Sequence, residues 1–194
     1  LSQMTVEEKL GYIGGIDWMY TKSIDRLGIH RMRMSDGPQG IGTKGKSTAY
    51  PATVTLAATW NENLAYQYGK ALGRDCRARN INVILGPAVN IYRAPMCGRN
   101  FEYMGEDPYL TSRICVGYIK GVQDQGVMAT VKHFVANNSD YDRNNISNDI
   151  DERTLNEIYF PAYKAAIQEA EVGAIMTSYN LMNGIYTTEN PWLL

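Results

Sequence analysis

Four short stretches of this chain place acids, cations and hydrogen-bond donors next to residues that end secondary structure. They are Asp36 ahead of Gly37-Pro38, Arg99 with Glu102 in a polar loop, Lys132 beside His133, and Tyr179 between Ser178 and Asn180. Carboxylates accept hydrogen bonds, whereas Arg and Lys side chains only donate them. A convergent set of both kinds suits a neutral ligand covered in hydroxyls, a sugar for example. With only His30 and His133, a histidine-rich metal site is out of reach, and Cys76, Cys97 and Cys115 are too few for a four-thiolate zinc site. No metal and no cofactor is expected.

Each residue alone has a plainer explanation. Asp36 suits a turn before Gly-Pro, and Arg99 with Glu102 makes a loop ion pair of little value. His133 fits a half-buried structural histidine, Tyr179 fits core filling with a satisfied hydroxyl, and Arg143 fits a solvated loop. Their joint occurrence at the ends of successive elements is what those explanations leave out.

The elements that would position them follow from local signals. Thr5 with Glu8 reads as a capping box opening a first helix. Arg31 to Met34 is a weak strand stopped by Asp36-Gly37-Pro38, and Val54 to Ala58 is a short apolar stretch. Asn61 caps a helix whose apolar face is Leu64, Tyr68, Ala71, Leu72 and Cys76, at helical spacing. Val83-Ile84-Leu85 has a buried-strand pattern ended by Gly86-Pro87. Tyr109 to Gln125 reads as a helix stopped by Gly126, and Val127 to Val131 as a strand running into Lys132-His133. Asp151 caps a helix that Pro161 interrupts, and Ala174-Ile175-Met176 is a further strand. Trp60, just before the Asn61 cap, is expected to pack against the wall of the fold, and Trp18 sits in an irregular Gly-rich stretch.

Alternation of strands and helices argues for an α/β fold of parallel strands covered by helices. The reactive residues fall at strand C-terminal ends, where both barrels and doubly wound sheets bind ligands. A complete (β/α)8 barrel needs roughly 250 residues, and this chain has 194. It starts at Leu1 without a signal peptide and stops at Leu194, just after Asn190-Pro191 opens a helix, so both ends read as cuts. One incomplete domain over residues 1–194 is the expectation. A net charge of −1 gives no footprint for nucleic acid, and no apolar run is long enough to span a bilayer.

One phosphate-loop pattern matches formally, through Gly40, Gly45, Lys46 and Ser47. That chemistry needs a buried strand before the loop and a helix N-terminus after it. Here Asp36-Gly37-Pro38-Gln39 precedes and Pro51 follows, so the match reads as a solvated loop.

The motifs taken together are specific. Met34-Ser35-Asp36-Gly37-Pro38, Gly98-Arg99-Asn100-Phe101-Glu102 with Gly105-Glu106-Asp107-Pro108, Lys132-His133-Phe134-Val135-Ala136-Asn137-Asn138, and Ser178-Tyr179-Asn180 with Asn183-Gly184 occur in this order. The set closely resembles the N-terminal barrel of family 3 glycoside hydrolases, on the β-glucosidase branch, over essentially the whole chain. The resemblance implies a partial (β/α)8 TIM-type barrel. Its parent would be a retaining, exo-acting β-glucosidase releasing terminal β-D-glucose, with a β-glucoside or oligosaccharide as substrate and the remainder of its own chain as partner.

By the same resemblance, Asp36 accepts from hydroxyls on the far side of the terminal sugar. Arg99, Lys132 and His133 hold further ring hydroxyls, Arg143 reaches the same subsite in some members, and Tyr179 lies beside the nucleophile. Glu102 is expected to orient Arg99 or Lys132 rather than to act in catalysis. The retaining mechanism needs two carboxyl groups about 5–5.5 Å apart. The family takes its nucleophile from a Ser-Asp-Trp element and its acid/base Glu from later sequence, and this chain contains neither, so it is expected to be inert alone. Some relatives carry an Arg where Gly42 stands here, which alters the outline of the subsite. A β-xylosidase-type enzyme and a non-catalytic sugar-binding module are the alternatives. Periplasmic or secreted placement is what the resemblance favours.

Overall fold

The computed structural model describes residues 1–42 and 45–194. Thr43 and Lys44, inside the Gly40–Ser47 phosphate-loop match, lie outside the described residues. Residues 48–52, which follow that match, carry no helix.

Four strands, β1 (Met34–Asp36), β2 (Val83–Leu85), β3 (Met128–Phe134) and, after a short β4 (Ser147–Asn148), β5 (Ala174–Thr177), form the main sheet. They are all parallel and lie in the order β1-β2-β3-β5. Each strand sits beside its chain predecessor, with no point where the order reverses. A doubly wound sheet requires such a reversal. Right-handed crossovers in one continuing direction put every helix on the same face, so the sheet is wound as part of a (β/α)8 barrel.

The helical complement begins with α1 (Val6–Gly14), which buries no residue, α2 (Thr53–Ala57), α3 (Glu62–Ala78) and α4 (Pro108–Gln123). It continues with α5 (Glu152–Thr154) and α6 (Phe160–Gln168). The expected capping box is present: Glu8 N–H donates to Thr5 Oγ1 at 3.2 Å and Thr5 N–H to Glu8 Oε2 at 2.9 Å. Asn61 Oδ1 accepts from Leu64 N–H at 3.0 Å and opens α3. Gly126, at φ +71°, follows the end of α4.

Several local expectations shift. The first strand begins at Met34 rather than Arg31, because Arg33 pairs instead with Tyr20 and the Arg31 guanidinium lies 3.7 Å over the Tyr20 ring. The Val54–Ala58 stretch is the short helix α2. Leu64 is exposed, and α3 buries Ala65, Gly69, Leu72, Gly73 and Cys76. The reason is a close crossing with α4: a Cβ on Gly69 would stand 2.2 Å from the Tyr118 carbonyl oxygen, and one on Gly121 would stand 2.1 Å from that of Tyr66. Small residues, rather than the largest apolar ones, decide which face meets the neighbour.

Pro161 does not end its helix: the regular α run gives way to a π-helical turn over Leu155–Tyr159 that joins α5 to α6, and Pro161 falls in the first turn of α6. Trp60 is exposed rather than packed in the wall. The core between sheet and helices gathers Ile84, Val131, Leu72, Ile114, Ile119 and Tyr163 among others. Past β5, β6 (Leu181–Met182) and β7 (Ile185–Tyr186) form a hairpin beside β4. Its turn residues Asn183 and Gly184 both have positive φ, as a two-residue turn requires. No helix among the described residues is long and apolar enough to cross a membrane.

Candidate functional site

The C-terminal ends of β1 and β3 carry the charged residues. Asp36 ends β1, and the turn beyond it is tight: a Cβ on Gly37 would lie 1.5 Å from the Gly40 carbonyl oxygen. Only glycine fits there, which fixes where the chain leaves the strand.

Lys132 lies within β3, which runs on to Phe134 instead of stopping at Val131. Its Nζ lies 3.3 Å from Asp36 Oδ1 and 3.3 Å from Glu102 Oε2. Glu102 Oε1 accepts in turn from Arg99 Nε. Two cations and two carboxylates therefore form one formally neutral chain. Lys132 and Glu102 side chains are 1% and 3% exposed, whereas that of Asp36 is 60% exposed. Charges so deeply buried persist only when paired. Glu102 thus holds both Arg99 and Lys132, and Asp36 is the member that meets solvent.

The turn bearing Arg99 and Glu102 is a 3-10 segment, Asn100–Glu102. It is tied to the framework by Thr53 Oγ1, which donates to the Tyr103 carbonyl at 3.1 Å, and by Gln39, which donates to the Phe101 carbonyl. A cleft between this turn and the β1 loop is lined by Asp36, Pro38, Gln39, Arg99, Phe101 and Glu102.

The register of β3 against β5 shifts between Lys132 and Phe134, and the Lys132-His133 and Phe134-Val135 peptide bonds are cis. In a regular strand, neighbouring side chains point to opposite faces. At this irregularity both meet the same loop, Lys132 through Glu102 and His133 through the Tyr103 hydroxyl, 3.2 Å from Nδ1. His133 is buried rather than half-buried. Burial first, then the nearby positive charges of Arg99, Lys132 and Arg143, hold its pKa down to about 2. The ring is therefore neutral at any working pH.

A second group stands beside the first. The Arg143 guanidinium lies 4.3 Å over the ring of Tyr179 and 3.4 Å from Asp140 Oδ2. Tyr179 is half exposed. Arg93 lines a separate cleft with Asn138, Asp149 and Tyr159. The structure thus brings Asp36, Arg99, Glu102, Lys132 and His133 together and sets Arg143 with Tyr179 at their side.

Sequence reading assigned no site role to four contributors: Tyr103 and Asn137 behind His133, Asp140 on Arg143, and the exposed ring of Phe101 at the cleft. Tyr103 directly follows Glu102 in sequence, but no spacing rule links it to a histidine 30 residues away.

The family described as glycosyl hydrolase family 3 N terminal domain matches residues 13–194. A beta-glucosidase of Rhizobium radiobacter is 47% identical over 200 residues, covering 100% of this chain and 24% of that protein. Thermostable beta-glucosidase B of Acetivibrio thermocellus is 44% identical over 206 residues, covering 100% of this chain and 27% of that protein. Among solved structures, beta-glucosidase 3B from Thermotoga neapolitana in complex with glucose superposes with a TM-score of 0.93 at 37% identity, over 100% of this chain and 30% of that one. The chain thus spans about a quarter to a third of the length of these relatives.

Proposed function

The chain belongs to glycosyl hydrolase family 3, and from this we propose that its parent is a retaining, exo-acting β-glucosidase whose terminal-glucose subsite is built largely by residues 36–179. The observation that carries the proposal is the neutral chain Asp36–Lys132–Glu102–Arg99 at the strand ends, with one carboxylate facing outward.

A sugar hydroxyl both gives and takes a hydrogen bond. Asp36 accepts hydrogen bonds from hydroxyls, while Lys132 and Arg99, locked by Glu102, donate them. The guanidinium of Arg143, stacked on Tyr179, lines the neighbouring side. Because Glu102 is saturated by two cations and buried, it orients these donors and is not a nucleophile. Nucleophile and acid/base carboxylates come from other parts of the parent, about 5–5.5 Å apart as retention requires. Residues 1–194 are then one portion of a catalytic barrel.

The test is hydrolysis of p-nitrophenyl β-D-glucoside and β-D-xyloside by the full-length protein, with the anomer first released followed by NMR. Faster cleavage of the glucoside, with β-glucose appearing first, is expected. Faster cleavage of the xyloside, or α-glucose as first product, overturns the reading; no cleavage together with glucose binding leaves a sugar-binding module.

A further inference from the structure

His133 is neutral, so its ring carries a single N–H. The nitrogen that holds this proton decides whether the Nε2 edge of the ring gives or takes a hydrogen bond. On the other edge, Nδ1 lies 3.2 Å from the Tyr103 hydroxyl. Tyr103 is fully buried, and burial raises its phenol pKa, so it keeps its proton. Its oxygen accepts from Asn137 Nδ2 at 2.8 Å.

The Asn137 amide is held in that sense by elimination. Its Oδ1 has no partner among the described residues. Turned over, the amide would leave its buried N–H groups unpaired, which proteins tolerate less well than an unpaired carbonyl. A Tyr103 oxygen that accepted from both neighbours would strand its own proton in the core, at the cost of an unmade hydrogen bond. The proton therefore points to Nδ1. The His133 backbone is held as well, since Tyr163 Oη donates to its carbonyl at 2.7 Å.

We infer that Tyr103, oriented by Asn137, is a positioning residue that fixes the His133 proton on Nε2, so that His133 gives a hydrogen bond to a substrate hydroxyl. The substrate half of this inference rests on the sugar-subsite reading above. A hydroxyl that accepts from His133 has its own proton free for a carboxylate, and Asp36 is the exposed carboxylate of the neighbouring cluster. The chain Asn137–Tyr103–His133 then sets the polarity of hydrogen bonding at the sugar.

The test uses the full-length protein with 15N-labelled histidine, the His133 signals being identified by their loss in His133→Gln. A pyridine-type Nδ1 with a pyrrole-type Nε2 is expected. In Asn137→Asp the carboxylate accepts the hydrogen bond of the Tyr103 O–H, so Nδ1–H must donate to the Tyr103 oxygen and the two signal types exchange. Tyr103→Phe keeps the ring and removes only the hydroxyl. It should give mixed tautomers and lower kcat/KM on the β-glucoside about tenfold, mainly through KM. If Asn137→Asp does not fold, Tyr103→Phe decides alone. A pyrrole-type Nδ1 in the unmodified protein, or an unchanged His133 spectrum and KM in Tyr103→Phe, overturns the inference. If the spectra are as expected but no β-glucoside is cleaved, the sugar reading falls and the tautomer assignment stands.

Discussion

Two groups of polar residues share one end of this sheet and are built in opposite ways. Asp36, Lys132, Glu102 and Arg99 hang from strand ends and a braced 3-10 turn, and the middle pair is shut away from water. Arg143, Asp140 and Tyr179 stand on the loop after β3 and the end of β5, with Arg143 and Asp140 side chains 36% and 30% exposed. In the first group an ion without its partner would be a buried unpaired charge, so the geometry is held stiffly. In the second, water substitutes for a lost partner, and each contact is worth little. Rigidity of this site therefore comes from burial of Lys132 and Glu102 rather than from the number of ion pairs.

The largest expected effect falls on the buried pair. In the full-length protein, Lys132→Met leaves Glu102 short of a cation and should cost about 3–5 kcal/mol in urea unfolding. It should also lower kcat/KM at least about 100-fold. A loss below about 1 kcal/mol would place Lys132 in the exposed class instead. Asp36→Asn comes next and separates the two quantities. Its side chain is the solvent-facing member, so kcat/KM should fall about 10–100-fold while stability changes by less than about 1 kcal/mol.

His133 sits between the groups and adds a pH signature. Its folded pKa is held at about 2, far below the ordinary histidine value. Between that ordinary value and about 2, the unfolded chain binds a proton that the folded one refuses. Stability from this residue is thus complete above about pH 6.5 and declines as pH falls, by up to about 1.4 kcal/mol per pH unit. Urea midpoints of the unmodified protein and His133→Gln should converge from pH 7 to pH 5; parallel curves would mean that the ring titrates freely. The smallest effects belong to the loop group. Arg143→Gln should change stability by less than about 1 kcal/mol, with a few-fold rise in KM, about the size of one cation–π contact. A loss as large as that of Lys132→Met would erase the distinction between the groups.

Much of the framework was readable from local chemistry. The Thr5/Glu8 box and the Asn61 cap need only their own neighbours to form, and the Val83–Leu85 strand is marked by its apolar run between breakers. The sequence also pointed to strand ends as the place of the polar residues. It misjudged Leu64, because the α3–α4 crossing is set by glycines on both helices that no single helix pattern reveals. It stopped β3 three residues early, because Lys132 in a strand makes sense only once Glu102 and Asp36 are beside it. The roles of Tyr103 and Asn137 were hidden for a similar reason, since they exist only through His133.

Caps and turns were fixed in the amino-acid order, since each depends on bonds made within a few residues, and the alternation of strand and helix showed in the local pattern of apolar residues and breakers. The direction of winding, the bulge that sends Lys132 and His133 to one place, and the meeting of Lys132 with Asp36 across 96 residues arose only on packing. Strand order and register are settled by the total burial of many side chains at once, and a buried ion acquires its meaning from whichever partner that packing brings within reach.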